Sequence, residues 1–544
     1  MPTINPFARP VYLMAKPAGS LCNLRCKYCY YLEKSKLYDK NEKHIMSDQL
    51  LDKFIKDYIE AQTMPEVMFT WHGGETLMRP ISFYKKALRL QQQYAGGRCI
   101  DNCIQTNATM LTDEWCKFFH DNNFLVGVSI DGPQEFHDAY RKTATGRPTW
   151  NQVMRGIRLL NKYNVEWNAL AVVNNLNVEH PLEFYHFFKD INCHFIQFTP
   201  IVERIVDDRA DGLQLAPGMT EGGQMADFSI TAEQWGTFLC TIFDEWVRHD
   251  VGEYFIQLFD SALANWVGVA PGLCTMAAEC GHAGVMEYNG DVYSCDHFVY
   301  PEHRLGNLRE STVTQMMYSA KQREFARMKK EMLPQQCKEC DVLFACHGEC
   351  PKNRFINDRY GNPGLNYLCA GYHKFFKHIA PYMEFMKGEL AAKRPPANVM
   401  NYIVSKYRLL NSSRRHITIY FTTRFATLSE GLLLHSKRGP FAFQKDSFCI
   451  PKGVLLGCKR TPSEKRKENA LNTHYYIYMQ TSITSMQTSI YISNQASYLC
   501  KQALYIYKTA KAPKKHKTSW GLSLYLRFSV FTWRKLPNVF RVLR

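Results

Sequence analysis

The stretch Val11-Tyr12-Leu13-Met14-Ala15-Lys16-Pro17-Ala18-Gly19-Ser20-Leu21-Cys22-Asn23-Leu24-Arg25-Cys26-Lys27-Tyr28-Cys29 sets an apolar run of strand length directly ahead of a loop carrying three cysteines. Five more such runs follow, at Val67 to Trp71, Ile100 to Thr106, Leu125 to Ile130, Asn168 to Val173 and His194 to Phe198. Amphipathic segments near 47–62, 80–95, 112–122, 149–163 and 179–190 separate them, the first opening at Ser47 as an N-cap. Strands alternating with helices predict a parallel α/β sheet, curved as a partial (β/α)6 barrel. Ligands of such sheets gather at the C-terminal strand ends. The loops there are glycine-rich and polar: Gly19-Ser20, His72-Gly73-Gly74-Glu75, Gln105-Thr106-Asn107 and Asp131-Gly132-Pro133.

Further along, Thr231-Ala232-Glu233-Gln234 matches a capping box and opens a helix expected to run to about Arg248. From Cys274 to Cys369 cysteines recur among short turns, with Tyr288-Asn289-Gly290-Asp291 as a hairpin signal. This region reads as a second module stapled by metal. The expected organisation is a barrel over 8–230, a linking helical segment over 231–270, a cysteine-rich domain over 271–390 and a basic tail over 401–544. The tail holds the near repeat Met479-Gln480-Thr481-Ser482-Ile483 and Met486-Gln487-Thr488-Ser489-Ile490 but no sustained periodicity, which predicts a disordered extension or a translation artefact.

The chain has 544 residues and a formal net charge of +17. Residues 401–544 contain 25 Lys or Arg against 4 Asp or Glu, leaving 42 against 46 for residues 1–400. The basic excess therefore lies in the tail, and no nucleic-acid-binding face is expected on the body. Neither a leader pattern nor a run of about 18 uncharged apolar residues occurs, so no membrane span and a cytoplasmic location are expected. Thiols in that compartment stay reduced, and clustered ones read as metal ligands. Of the 19 cysteines, Cys99, Cys103, Cys116, Cys193 and Cys240 fall in or beside predicted strands and helices and are expected to be small buried hydrophobes.

Cys22, Cys26 and Cys29 supply three thiolates in eight residues. Three ligands on a 4Fe-4S cluster leave one iron open to bind something else. A zinc site completed by a distant histidine is the competing reading. Eight more cysteines follow: Cys274, Cys280 and Cys295, then Cys337, Cys340, Cys346, Cys350 and Cys369. Eight thiolates make two complete sets of four, for zinc or for iron-sulfur clusters.

The spacing Cys22-x3-Cys26-x2-Cys29, with aromatic Tyr28 before the third cysteine, resembles the radical S-adenosylmethionine (SAM) enzymes. That resemblance implies a 4Fe-4S cluster on these three cysteines, whose open iron binds SAM for reductive cleavage to a hydrogen-abstracting radical. Gly73-Gly74-Glu75 resembles the family's SAM-ammonium motif, with Thr76 where many members carry proline. The same resemblance implies that Ser129 holds the SAM ribose, Arg141 its carboxylate, and Tyr28 and Val202 its adenine. The later cysteines resemble the SPASM domain, which implies two auxiliary 4Fe-4S clusters and three clusters in all. One would be held by Cys274, Cys280, Cys295 and Cys350, the other by Cys337, Cys340, Cys346 and Cys369.

Over residues 8–400 the chain is similar to the anaerobic sulfatase-maturating enzymes of Bacteroides type. The similarity rests on Lys16-Pro17, the Cys22 motif, Thr70-Trp71-His72-Gly73-Gly74-Glu75-Thr76, Gln105-Thr106-Asn107, Ser129 to Pro133 and Tyr293-Ser294-Cys295-Asp296-His297-Phe298. Ala108 stands where a glycine usually follows Gln-Thr-Asn. The resemblance implies oxidation of a serine or cysteine in an unfolded or nascent sulfatase to Cα-formylglycine. It also implies an electron donor such as flavodoxin or ferredoxin. Reaching an aldehyde from a Cβ radical requires a base and an electron acceptor; Asp296 matches the family's base, and His297 either orients it or packs. Two alternatives compete. Another SPASM peptide modifier, forming thioethers or crosslinks, would share the clusters but usually carries an N-terminal winged-helix segment. A non-enzymatic iron-sulfur electron carrier leaves the open three-cysteine site beside Gly73-Gly74-Glu75 unexplained.

Overall fold

A computed structural model describes residues 10–39, 43–206, 213–220, 222–281 and 283–405. The basic tail thus lies outside the described residues, apart from 401–405.

Six parallel strands carry the first half: β1 (Tyr12–Ala15), β2 (Glu66–Trp71), β3 (Cys99–Thr106), β4 (Leu125–Ser129), β5 (Trp167–Val173) and β6 (Phe195–Pro200). They pair in sequence order, each register stepping to the next strand, as right-handed βα units require. The helices between them are α1 (Asp48–Glu60), α2 (Ile81–Tyr94), α3 (Asp113–Asp121), α4 (Gln134–Tyr140), α5 (Trp150–Lys162) and α6 (Pro181–Asp190). Short polar residues start two of them: the Ser47 hydroxyl accepts from Leu50 N–H, and Thr112 accepts from Trp115 N–H. Their apolar faces close over the sheet through buried residues such as Leu51, Phe54, Tyr84, Phe119, Ile157 and Phe184. The short α4, between Pro133 and Arg141, goes beyond the helices expected from periodicity.

The sheet does not end with the sixth strand. Phe255–Ile256, in the expected linking segment, pairs in parallel with β6. Ala283–Met286, in the cysteine-rich region, pairs in parallel with β1, Ala15 lying opposite Met286. The predicted hairpin then adds Asp291–Tyr293 and Arg304–Asn307 antiparallel to that edge, giving ten strands in one sheet. The cysteine-rich region is therefore sewn into the barrel sheet through β1, so the residues after β1 and after Ala283–Met286 emerge side by side.

The capping-box helix spans Ala232–His249, with Thr231 and Gln234 capping reciprocally. It packs on the long helix Cys369–Ala391 at a glycine pair: a Cβ on Gly371 would lie 2.1 Å from Ala232 O, so only glycine allows this approach. Cys103, Cys116 and Cys193 are buried as expected; Cys240 is partly buried. Cys99 is exposed instead, because it opens β3 at the sheet's outer end opposite Glu66. No helix among the described residues is long and apolar enough to cross a membrane.

Candidate active site

The three-cysteine loop leaves β1 and folds against the loop after β2. Gly74 N–H donates to Gly19 O at 2.8 Å and Glu75 N–H to Leu21 O at 2.7 Å. A Cβ on Gly74 would sit 2.2 Å from Leu21 O, so the absence of a side chain there lets the backbones touch. Leu24 N–H approaches Cys22 Sγ at 3.3 Å and Asn107 Nδ2 approaches it at 3.8 Å. Burial pushes the Cys22 thiol up to about 11 and Cys26 to about 12. Such thiols stay neutral unless a metal takes their protons' place.

Glu75 is buried with its carboxylate turned to the β3 loop. It accepts from Thr106 Oγ1 at 2.7 Å, Asn107 N–H at 2.8 Å and Leu77 N–H at 3.0 Å. These donors make it a brace between the β2 and β3 loops, with less of the carboxylate open than an ammonium-binding role alone implies. Ser129 closes β4 and accepts from Gln105 Nε2 at 2.8 Å. Arg141 is clamped bidentately by buried Asp131, at 2.9 and 3.1 Å, and Tyr28 donates its hydroxyl to the same carboxylate. Tyr28, Tyr140, Ile201 and Phe228 form one small apolar cluster. Val202 belongs to the main core, and its neighbour Ile201 clusters with Tyr28. Directly after β5, the enclosed Asn174 Nδ2 has no partner among the described residues, an open donor at the sheet's C-terminal edge.

Asp296 follows Cys295 and is gripped from the cluster-loop side. Tyr30, the residue after Cys29, donates its hydroxyl to Asp296 Oδ2, and Lys16, the residue after β1, forms an ion pair with Oδ1. Lys16 is fully buried, lies over the Tyr31 ring at 3.3 Å and stands 3.9 Å from Glu287, which accepts from Tyr31 at 2.5 Å. Burial alone would raise the Asp296 carboxyl; Lys16, His72 and His297 outweigh burial and hold it below the usual carboxylate range. Burial brings His72 down to about 4, and its Nδ1 accepts Gly73 N–H at 2.8 Å, leaving Nε2 as the N–H. His297 does not bond Asp296. It packs edge-on against Tyr30 and puts Nδ1 3.9 Å from Cys350 Sγ.

The eight later cysteines separate into two groups. Cys350, Cys274 and Cys280 all act electrostatically on the Cys295 thiol. Cys337 and Cys340 act on Cys369, while Cys369 and Cys337 act on Cys346. Cys295 thus has Cys350, Cys274 and Cys280 as electrostatic neighbours, and Cys369 has Cys337 and Cys340. Among the described residues, no three thiols of any set converge within 4.8 Å, as the ligands of a single zinc ion do; the one group that does is Cys340 with Asp341 and His373. Buried cations accompany the later cysteines: Lys329 Nζ donates to Cys274 O at 2.8 Å, and Arg354 lies near enough to act on Cys337, Cys350, Cys280 and Cys346, members of both sets. These residues fit three iron-sulfur clusters, and the polar strand ends fit SAM. The sequence offers no site role for Tyr30, Glu287, Lys329 and Arg354, and Lys16 enters only as part of the Lys16-Pro17 motif, because a buried polar contact has no signature until its partner is seen.

The Radical SAM superfamily model matches residues 17–188, and the SPASM iron-sulfur cluster-binding domain model matches residues 279–341. The class is therefore a radical SAM enzyme with a cysteine-rich SPASM domain, as the sequence resemblance implied. The serine-type anaerobic sulfatase-maturating enzyme of Bacteroides thetaiotaomicron is 66% identical over 400 residues, 73% of this chain and 96% of that protein. The cysteine-type enzyme of Clostridium perfringens (strain 13 / Type A) is 30% identical over 68% of this chain and 97% of its own length. A solved structure of native anSMEcpe with bound AdoMet and Cp18Cys peptide superposes with a TM-score of 0.61 at 30% identity, covering 70% of this chain and all of that one. The chain belongs to the anaerobic sulfatase-maturating enzymes.

Proposed function

We propose that this chain oxidises a serine of a sulfatase polypeptide to Cα-formylglycine, with Asp296 taking the side-chain proton. The observation that carries the role of Asp296 is its double tether, to Tyr30 beside the three-cysteine loop and by chain connectivity to Cys295 of the second set. Cys22, Cys26 and Cys29 would hold the SAM-binding cluster, and the two later sets the auxiliary clusters. Once bound, SAM and its cluster supply the hydrogen-abstracting radical and an auxiliary cluster takes up one electron. Asp296 stands ionised between these sites, able to accept the hydroxyl proton while the carbon radical is oxidised. Arg141, fixed by Asp131, presents a charge of constant position toward an anionic group of SAM. Gly73 and Gly74 offer backbone, and Glu75 keeps their loop in place.

Serine rather than cysteine is supported by the serine-type names of the Bacteroides and Klebsiella relatives. His72 is consistent with it, since its Nε2–H can donate to a hydroxyl oxygen next to Asp296. The target enters as an unfolded or nascent chain in an oxygen-poor cytoplasm, and a small flavin or iron-sulfur protein provides electrons. Mass spectrometry of a sulfatase-motif peptide in serine and cysteine forms, incubated anaerobically with reconstituted enzyme, SAM and reductant, tests the reading. Loss of two hydrogens from the serine peptide supports it. Cleavage of SAM with both peptides unchanged would transfer the chain to the thioether- or crosslink-forming modifiers.

A further inference from the structure

Lys16 and Glu287 come from opposite sides of the sheet seam. Lys16 follows β1, Glu287 follows Ala283–Met286, and those strands pair in parallel with Ala15 opposite Met286. Lys16 N–H donates to Met286 O at 2.9 Å, so the register of the seam sets the two side chains next to each other. Both are fully buried. Their surroundings leave little freedom: Tyr31 supplies a ring under the ammonium and a hydroxyl to Glu287, while Tyr30 holds the other carboxylate, Asp296. Consecutive tyrosines after Cys29 thus hold two acids that share one lysine.

An isolated ammonium in such a place would be very costly, and so would either carboxylate alone. Here the groups face one another: Lys16 stands 3.9 Å from Glu287 and pairs with Asp296. Asp296 stands on a short turn after Cys295, where, among the described residues, Lys16 and Tyr30 hold its oxygens. Resting on the proposed role of Asp296 above, we propose that Lys16 and Glu287 are positioning residues: Glu287 and Tyr31 hold the Lys16 ammonium, and Lys16 aims the Asp296 carboxylate at the substrate proton. The device links the barrel strand, the three-cysteine loop and the cysteine-rich domain, so the base is in place only when all three are assembled.

The test measures aldehyde formed per 5′-deoxyadenosine released from a serine peptide, using reconstituted full-length enzyme. Lys16→Met and Glu287→Leu are expected to lower that ratio about tenfold or more, the scale of a misplaced general base. Peptide affinity by fluorescence anisotropy and iron content are expected to remain as in the parent. Lys16→Arg, which keeps the charge, and Glu287→Gln, which keeps an acceptor for Tyr31, should give ratios below the parent's and above that of Asp296→Asn. Combining Lys16→Met with Asp296→Asn should cost no more than Asp296→Asn alone, since residues acting as a unit are not additive. Should Lys16→Met lose its iron, Lys16→Arg and Glu287→Gln decide: a ratio between parent and Asp296→Asn supports the proposal, and a parental ratio in both overturns it. A parental ratio in Glu287→Leu, or a loss in Lys16→Met that adds to that of Asp296→Asn, overturns it too. The parent chain serves as the separate check, because parent enzyme that makes no aldehyde removes the formylglycine reading itself.

Discussion

The hydroxyl of Tyr30 donates to the carboxylate of Asp296 across 266 residues of sequence. One partner follows the third cysteine of the first set, and the other follows the third cysteine of the second. The contact ties the three-cysteine loop to the turn that follows Cys295, the two places to which the proposed mechanism assigns hydrogen removal and proton loss.

Removing that hydroxyl should therefore impair the reaction without dismantling the site. Tyr30→Phe deletes one donor to a charged acceptor, an interaction of about 1.5–3 kcal/mol. Aldehyde formation should fall about tenfold or more while iron content stays at the parental value, as read by product assay and iron determination.

A methyl on Gly74 would meet Leu21 O at 2.2 Å, in the loop that delivers Cys22. Gly74→Ala should displace that loop and leave about four irons fewer per chain after reconstitution, with the two later sets still loaded. Iron quantification with electron paramagnetic resonance would show it; full loading of all three sets would contradict it.

Gly156, within α5, gives a case where local preference and packing disagree. Helix propensity favours alanine there by about 1 kcal/mol. A Cβ, however, would lie 2.5 Å from Ala108 O. Overpacking against backbone costs about 1–3 kcal/mol, so Gly156→Ala should lower the midpoint of urea unfolding. The same contact explains how Ala108 is tolerated where a glycine is usual: it adopts φ of 60°, and the bare face of Gly156 accommodates it.

Asp260 offers a pH test away from the clusters. Its Oδ2 is enclosed without a partner among the described residues, and burial raises its carboxyl from 3.8 to about 8. Between those values the folded chain keeps a proton that the unfolded chain releases. Stability therefore falls as pH rises through that window and levels off above it. Asp260→Asn removes the cost, so the variant's melting temperature should gain on the parent between about pH 5 and pH 8. A constant difference across that range would contradict the assignment.

Much of this architecture was legible before any coordinates. The six strands and their helices announced themselves through apolar runs and amphipathic periods, and the capping box at Thr231 marked its helix to within a residue. What escaped was short or distant. Phe255–Ile256 is two residues long and leaves no periodic trace, and the pairing of Ala283–Met286 with β1 joins segments some 270 residues apart. The cysteine motifs stand out in the sequence because their spacing is a local property. The charged brace of Lys16, Glu287 and Asp296 does not, since burial of a lysine is a property of the assembled seam. Val202, implied by the resemblance, lies in the main core, and its neighbour Ile201 clusters with Tyr28.

The most direct test of the central claim compares the parent with Asp296→Asn on a serine peptide, counting 5′-deoxyadenosine and aldehyde in the same anaerobic reaction. The asparagine keeps the shape and loses the base. The account predicts continued release of 5′-deoxyadenosine with aldehyde reduced at least a hundredfold, the lower bound for a positioned general base. Aldehyde at the parental yield per 5′-deoxyadenosine would show that the proton leaves by another route.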